Sequence, residues 1–114
     1  MPKMFSKYLW RNMASKYRII ITKEALKDLY GIYNYISIKL YAPKAADNII
    51  ENILKAIKTL KYSPRLYHEI DKIDYLNRRY RRVIVKNYII LYVFDSKNSI
   101  VYVSHIFYGR KNYL

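Results

Sequence analysis

Cysteine is absent from this chain of 114 residues, which removes disulfides, thiolate zinc sites and cysteine nucleophiles together. A reducing cytoplasm fits that absence, and a cytoplasmic location is expected. Only two glycines occur, Gly31 and Gly109, so a glycine-rich phosphate loop is excluded. The two histidines, His68 and His105, have neither HxxxH nor HExxH spacing, so neither a metal site nor a cofactor is expected. No apolar run approaches the roughly 20 residues of a membrane span. The basic N-terminus also lacks the apolar stretch and cleavage site of a secretory signal, and no membrane partner is expected.

Acidic residues are scarce: eight Asp and Glu face 22 Lys and Arg, a formal charge of +14. The surplus is segregated. Residues 1–18 hold five basic and no acidic residues, residues 19–77 nine and seven, and residues 78–114 eight and one, the one being Asp95. The middle is nearly balanced while both ends are positive, a distribution that favours a polyanion or an acidic protein as partner. A solvated lysine-rich surface is the plainer reading of the same charge.

What the chain has in quantity is apolar and aromatic residues. At 53% hydrophobic it can fill one core, and its length suits one domain. Residues 1–16 show no clean period and read as an N-terminal extension to a domain spanning 17–114; Met13 is a plausible alternative start. Tyr17–Thr22 reads as a strand from Ile19, Ile20 and Ile21. Thr22 stands where a helix N-cap belongs. From 23 to 41 Leu26, Leu29, Tyr30, Tyr33, Ile36 and Leu40 recur at helical spacing, with Gly31 as a site of close packing. Pro43 opens a second helix whose apolar face runs from Ala46 to Leu60 and stops before Pro64. Residues 65–78 read as a loop or short strand. Strands near Tyr80–Lys86, Tyr88–Phe94 and Ile100–Tyr108 follow. The order β-α-α-β-β-β, with a helical hairpin on one face of an antiparallel meander, is a two-layer α+β domain.

Alternation assigns the sheet faces. Val83, Val85, Ile89, Leu91, Val93, Val101, Val103 and Phe107 would face the helices, with His105 on that apolar side. Arg82, Lys86, Tyr88, Tyr92, Tyr102 and Tyr108 would lie opposite. A slip of one residue across Asn87 would exchange these faces. A basic, tyrosine-rich sheet can hold single-stranded RNA, since arginine and lysine bind phosphate and tyrosine stacks on bases. Such groups can also drive metal-free RNA cleavage, with cations stabilising the pentavalent phosphorane and Tyr or His moving protons. Tyrosines also favour strands for packing reasons alone.

Four strings in order, YRIIITKEALKDLYGIYNYI, TLKYSP, YRRVIVKNYIILYVF and IVYVSHIFYGRKNY, resemble the RelE/ParE toxin superfamily. The matching positions are Ala25, Asp28 and Leu29; Leu60 and Pro64; Arg81, Val85, Tyr88, Ile90 and Tyr92; and Gly109, Arg110, Lys111 and Asn112. The resemblance covers residues 17–113 and implies the same β-α-α-β-β-β fold. It implies the toxin of a type II toxin–antitoxin pair, neutralised by a cognate acidic antitoxin. Operator DNA would then be bound only through the toxin–antitoxin complex.

Two activities divide that superfamily, inhibition of DNA gyrase (ParE-like) and metal-independent cleavage of mRNA on the ribosome (RelE-like). The RelE-like arginine after the strand tyrosine falls here on Ile89, and the paired lysines fall on Tyr80 and Arg82. The string N-Y-x-I-x-Y followed by G-R is nearer the ParE pattern, so gyrase is the expected target and ribosome-bound mRNA the alternative. For an endonuclease Arg82, Arg110 and Tyr108 are the expected catalytic groups; Arg81, Lys86, Tyr88, Tyr92 and Lys111 are the expected nucleic-acid or target contacts. A non-toxic nucleic-acid-binding module is the third reading.

Overall fold

The computed structural model describes residues 16–109. All of the expected extension but Lys16 lies outside the described residues, as do Arg110 and Lys111. The elements are β1 (Arg18–Ile21), α1 (Lys23–Asn34), α2 (Pro43–Thr59), β2 (Glu69–Ile73), β3 (Arg79–Val85), β4 (Tyr88–Asp95) and β5 (Ile100–Tyr108). The helical hairpin packs on one face of a five-stranded mixed sheet of order β1-β5-β4-β3-β2. β1 runs parallel to β5 and every other pairing is antiparallel. This is the two-layer α+β architecture read from the sequence, with one strand more.

The added strand is β2, within the stretch 65–78 that reads as a loop or short strand. Its sequence EIDKI is too polar to signal a strand: Ile70 alone is buried, against Ile89 and Leu91, and the other positions are exposed and charge-paired or solvated. Glu69 stands opposite Arg81 with 3.3 Å between Oε2 and Nη2, and Arg79 reaches Glu69 and Asp71 at 4.0 and 3.6 Å. Opposed charges across a strand pair stabilise the pairing modestly, by about 0.2–1 kcal/mol each. Beyond β2 the chain turns back through Asp74. Its carboxylate accepts from the Arg78 Nε at 2.8 Å and from the backbone amides of Leu76 and Arg78. Burial pushes the Asp74 carboxyl up, but these donors outweigh it and hold the group below its usual range.

Thr22 caps α1 as expected: its Oγ1 accepts from the Ala25 amide at 3.2 Å, and it also donates to the Ser104 carbonyl. Past Ile21, β1 no longer covers the outer edge of β5, and α1 packs there. Asp28 satisfies the freed edge, its Oδ2 accepting from the Ile106 amide at 2.9 Å. Ala25, Asp28 and Leu29 thus act together to seat α1, since Ala25 and Leu29 are buried while Asp28 ties the helix to the sheet. α1 continues as a π-helical turn, Tyr35–Lys39, and the hairpin closes through Tyr41 at φ 52°. Gly31 does not serve close packing, because a Cβ there would meet nothing within 4 Å. Gly31→Ala is therefore expected to raise stability by about 0.5–1 kcal/mol, readable as a higher urea midpoint at constant m-value.

Between the layers lies the core of Leu29, Ile53, Ile57, Leu60, Val83, Ile90, Tyr92, Val101, Val103 and Ile106. Several expected face assignments are exchanged. Val85 pairs with Tyr88 across the two-residue turn Lys86–Asn87, and paired residues share a face. Tyr88, Ile90, Tyr92 and Phe94 consequently point to the helices, while Ile89 and Leu91 form a second cluster with Ile70, Tyr80 and Phe107 on the open face. A bulge does the same in β5. Val103 pairs with Tyr92 but His105 with Leu91, leaving Ser104 as the extra residue. Ile106 and Tyr108 therefore take the helix side, and Phe107 takes the open side. His105 is not a core residue: its side chain is half exposed, stacks on Phe107, and lies 3.4 Å from Asp28 Oδ2.

Candidate functional site

The residues that the sequence suggests as one surface are divided by the sheet. Tyr92 is fully buried on the helix side, and its hydroxyl donates to the Pro64 carbonyl. Burial pushes its hydroxyl pKa upward. It anchors the segment after α2 instead of facing a partner, which corrects its assignment to the open face.

Arg81 is also engaged internally. Its Nη1 donates to the carbonyls of Arg65 and Tyr67 at 3.0 and 2.7 Å, and its Nη2 reaches Glu69. Its guanidinium lies 5.4 Å from the Phe94 ring centroid, with Arg65 5.1 Å from the same ring. Of the four arginines at 78, 79, 81 and 82, Arg82 alone makes no ion pair among the described residues. It lies opposite Leu91, on the open face.

Tyr88 and Tyr108 do come together, at the end of the sheet and on the helix side. Opposite each other in the ladder, they pack edge to face with centroids 5.5 Å apart. Burial, then the neighbouring Tyr108 and Tyr35, raise the pKa of Tyr88. Its hydroxyl keeps its proton at neutral pH, so it can stack or donate but is a poor general base. Tyr35, exposed in the π-helical turn, is the member that the sequence does not single out. No linear spacing links it to Tyr88; only the hairpin's position over the sheet does.

Lys86 occupies the β3–β4 turn with φ 57° and an exposed side chain. Gly109 closes this end, its amide donating to the Asn87 carbonyl. A Cβ at Gly109 would lie 2.9 Å from that oxygen and 3.4 Å from Ile89, so a glycine is required by close backbone approach. Gly109→Ala is expected to cost about 1–3 kcal/mol as the turn is forced apart, with lowered thermal stability as the readout. Ile89 itself is 6% exposed and packed with Ile70 and Leu91, so the site of the missing arginine is an apolar contact. Arg110 and Lys111 follow Gly109 and lie outside the described residues.

A second surface is on the helical hairpin. Alternate members of the expected apolar stripes are not core: Leu26, Tyr30, Leu40 and Leu54 are 44%, 65%, 54% and 42% exposed. Tyr33 of α1 and Asp47, Ile50, Glu51, Leu54, Lys55 and Lys58 of α2 line an open cleft of about 350 Å³. The Asp47 carboxylate raises the pKa of the Tyr33 hydroxyl by its charge and by hydrogen bonding. Among the described residues no group of His, Cys, Asp and Glu could hold a metal ion, and no helix is long and apolar enough to cross a membrane.

A family model described as the ParE toxin of the type II toxin–antitoxin system parDE matches residues 19–113. No curated protein matches the sequence significantly. Among solved structures, the chain is similar to one from the chromosomal ParDE toxin–antitoxin system of P. aeruginosa, with TM-score 0.66 and 14% identity over 82% of this chain and 97% of that one. It is also similar to a chain of the archaeal RelE–RelB complex from Pyrococcus horikoshii, with TM-score 0.58 and 18% identity over 84% and 98%. A third is the RelBE2 toxin–antitoxin complex of Mycobacterium tuberculosis, with TM-score 0.59 and 15% identity over 82% and 98%. At these identities the structural likenesses bear on the fold.

Proposed function

Because the chain belongs to the ParE toxin family of type II toxin–antitoxin systems, we propose that it arrests growth by inhibiting DNA gyrase and that a cognate acidic antitoxin holds it inactive. The observation that carries the target is the dispersal of the groups a nuclease would need. Arg82 is on the open face, Tyr88 and Tyr108 are on the helix side, and the position of the RelE-like arginine that follows the strand tyrosine is a packed Ile89. Phosphoryl-transfer catalysis needs its cation and proton-transfer groups around one phosphate, and here the sheet stands between them. A gyrase inhibitor needs only a complementary protein surface.

The second reading, RelE-like cleavage of ribosome-bound mRNA, draws support from the Tyr88–Tyr108 pair beside Lys86, an arrangement suited to base stacking and phosphate contact. Arg110 and Lys111, next in the chain after Gly109, would add charge at that end. In this branch Arg82, Arg110 and Tyr108 carry the chemistry.

The antitoxin is proposed to dock in the α1–α2 cleft. The solved neighbours named above come from toxin–antitoxin systems, two of them as complexes. Here the cleft has an apolar floor of Tyr33, Ile50 and Leu54, the form that takes an amphipathic helix. The positive charge of the chain favours an acidic, partly disordered partner that folds as it binds.

Induced expression without antitoxin tests the targets. Growth arrest with DNA breaks and lost supercoiling, and with intact ribosome-bound mRNA, is the expected pattern. Arrest with cut mRNA and normal supercoiling identifies the endonuclease instead, and unimpaired growth overturns both.

A further inference from the structure

The charges around the α1–α2 cleft are sorted by sign along α2. Asp47 and Glu51 stand toward its Pro43 end, and Lys55 and Lys58 toward its Thr59 end. The span from Asp47 to Lys58 is three helical turns, about 16 Å at 1.5 Å per residue. All four charged residues line the same cleft as Ile50 and Leu54, so a ligand resting on the apolar floor meets both signs, one at each end. Glu51 and Lys55 pair with each other at 3.4 Å, but with side chains 62% and 71% exposed. An exposed pair of this kind contributes little and can be exchanged for contacts to a partner.

A helix carries its own charge asymmetry. Acidic side chains collect in its first turn and basic ones in its last, because they complement the backbone dipole. Laid antiparallel to α2, such a helix brings its acidic first turn to Lys55 and Lys58 and its basic last turn to Asp47 and Glu51. Laid parallel, it opposes like charges at both ends. Electrostatics of this kind sets register and orientation more than raw affinity.

We propose that the cleft accepts an amphipathic helix of the antitoxin in one direction, antiparallel to α2, and that the sign-sorted rim of Asp47, Glu51, Lys55 and Lys58 fixes that direction. This rests on the reading that the cleft is the antitoxin's docking surface. It goes further in assigning direction and the residues that enforce it. The partner segment is expected to be roughly three to four turns long, with apolar anchors at i, i+4 and i+7.

Direction can be read by disulfide trapping, since the chain has no cysteine and a single introduced one is unique. The probe is a synthetic amphipathic peptide of roughly 15 residues, with glutamates in its first turn, leucine anchors, lysines in its last turn and a cysteine at its N-terminus. The proposal expects trapping to favour the Thr59→Cys protein over the Lys44→Cys protein by about tenfold at low salt, and the bias to shrink in about 1 M salt. Reversing the rim in each background (Asp47→Lys, Glu51→Lys, Lys55→Glu, Lys58→Glu) should move the preference to Lys44→Cys. Circular dichroism confirms that the reversed proteins are folded. Equal trapping at the two positions, or an unmoved preference after reversal, overturns the direction while leaving the cleft as the docking surface. Absence of peptide binding by fluorescence anisotropy overturns the docking reading and the direction with it.

Discussion

Replacing Tyr92 with alanine is expected to lower the free energy of unfolding by about 3–5 kcal/mol, the range for deleting a buried aromatic ring. Among the described residues Tyr92 is the largest of the fully buried side chains, and it sits between the sheet and the segment after α2. Its removal leaves a cavity that the surrounding β-branched residues cannot fill without moving backbone. It also strips the Pro64 carbonyl of its donor. Tyr92→Phe separates the two effects: it keeps the ring and loses only the hydroxyl, at an expected cost of about 1–2 kcal/mol. A small domain has a total stability of about 5–15 kcal/mol, so the alanine variant stands at the edge of folding while the phenylalanine variant does not. Urea unfolding of both proteins decides the matter. Near-normal stability of Tyr92→Ala combined with lost toxicity would return Tyr92 to the role of a target contact.

The second large effect is functional. Leu54→Arg in the lining of the α1–α2 cleft is expected to weaken antitoxin binding by about a hundredfold or more while leaving growth arrest intact. Leu54 is 42% exposed in the free protein, so the substitution costs the fold little. In the complex the guanidinium would be enclosed at the apolar centre of the interface, where an unpaired charge is costly. Co-expression with the antitoxin should then fail to rescue growth. Unchanged affinity of the purified variant would place the antitoxin elsewhere on the surface.

The elements carried by apolar periodicity are legible in the sequence. β1, both helices and the last three strands lie within a few residues of where period and punctuation put them, and Thr22 and Pro43 act as the residue types imply. β2 is obscured because only Ile70 of its five residues is buried, while Glu69 and Asp71 pair across to Arg79 and Arg81, residues that alone signal solvent. The sheet faces are obscured by two events of a single residue each. One is the Val85–Tyr88 pairing across the turn, which inverts β4, and the other is the Ser104 bulge, which inverts the end of β5 from His105 onward. The tight turn resets the phase between two strands, and the bulge resets it within one.

The candidate site is harder to read, because it depends on that phase. Alternation groups Tyr88 and Tyr108 correctly with each other but places them with Arg82 on a face they do not share, and puts Lys86 in a strand where it occupies the turn. Tyr35 joins them only through the tertiary fold. The exposed apolar surface of the hairpin, which includes the proposed docking cleft at Leu54, is present in the sequence as an apolar stripe too wide for one buried face: Leu26 and Tyr30 beside Leu29, and Leu54 beside Ile53. The excess width marks a second apolar surface, yet only burial separates Leu29 and Ile53 in the core from Leu26, Tyr30 and Leu54 outside it.

The proposed activity is most directly tested by adding the purified protein to DNA gyrase, relaxed plasmid and ATP and following supercoiling on agarose. The protein is expected to block supercoiling and trap cleaved DNA, with both effects cancelled by its antitoxin in equimolar amount. Unimpaired supercoiling at a protein excess that still cuts mRNA on translating ribosomes would contradict it.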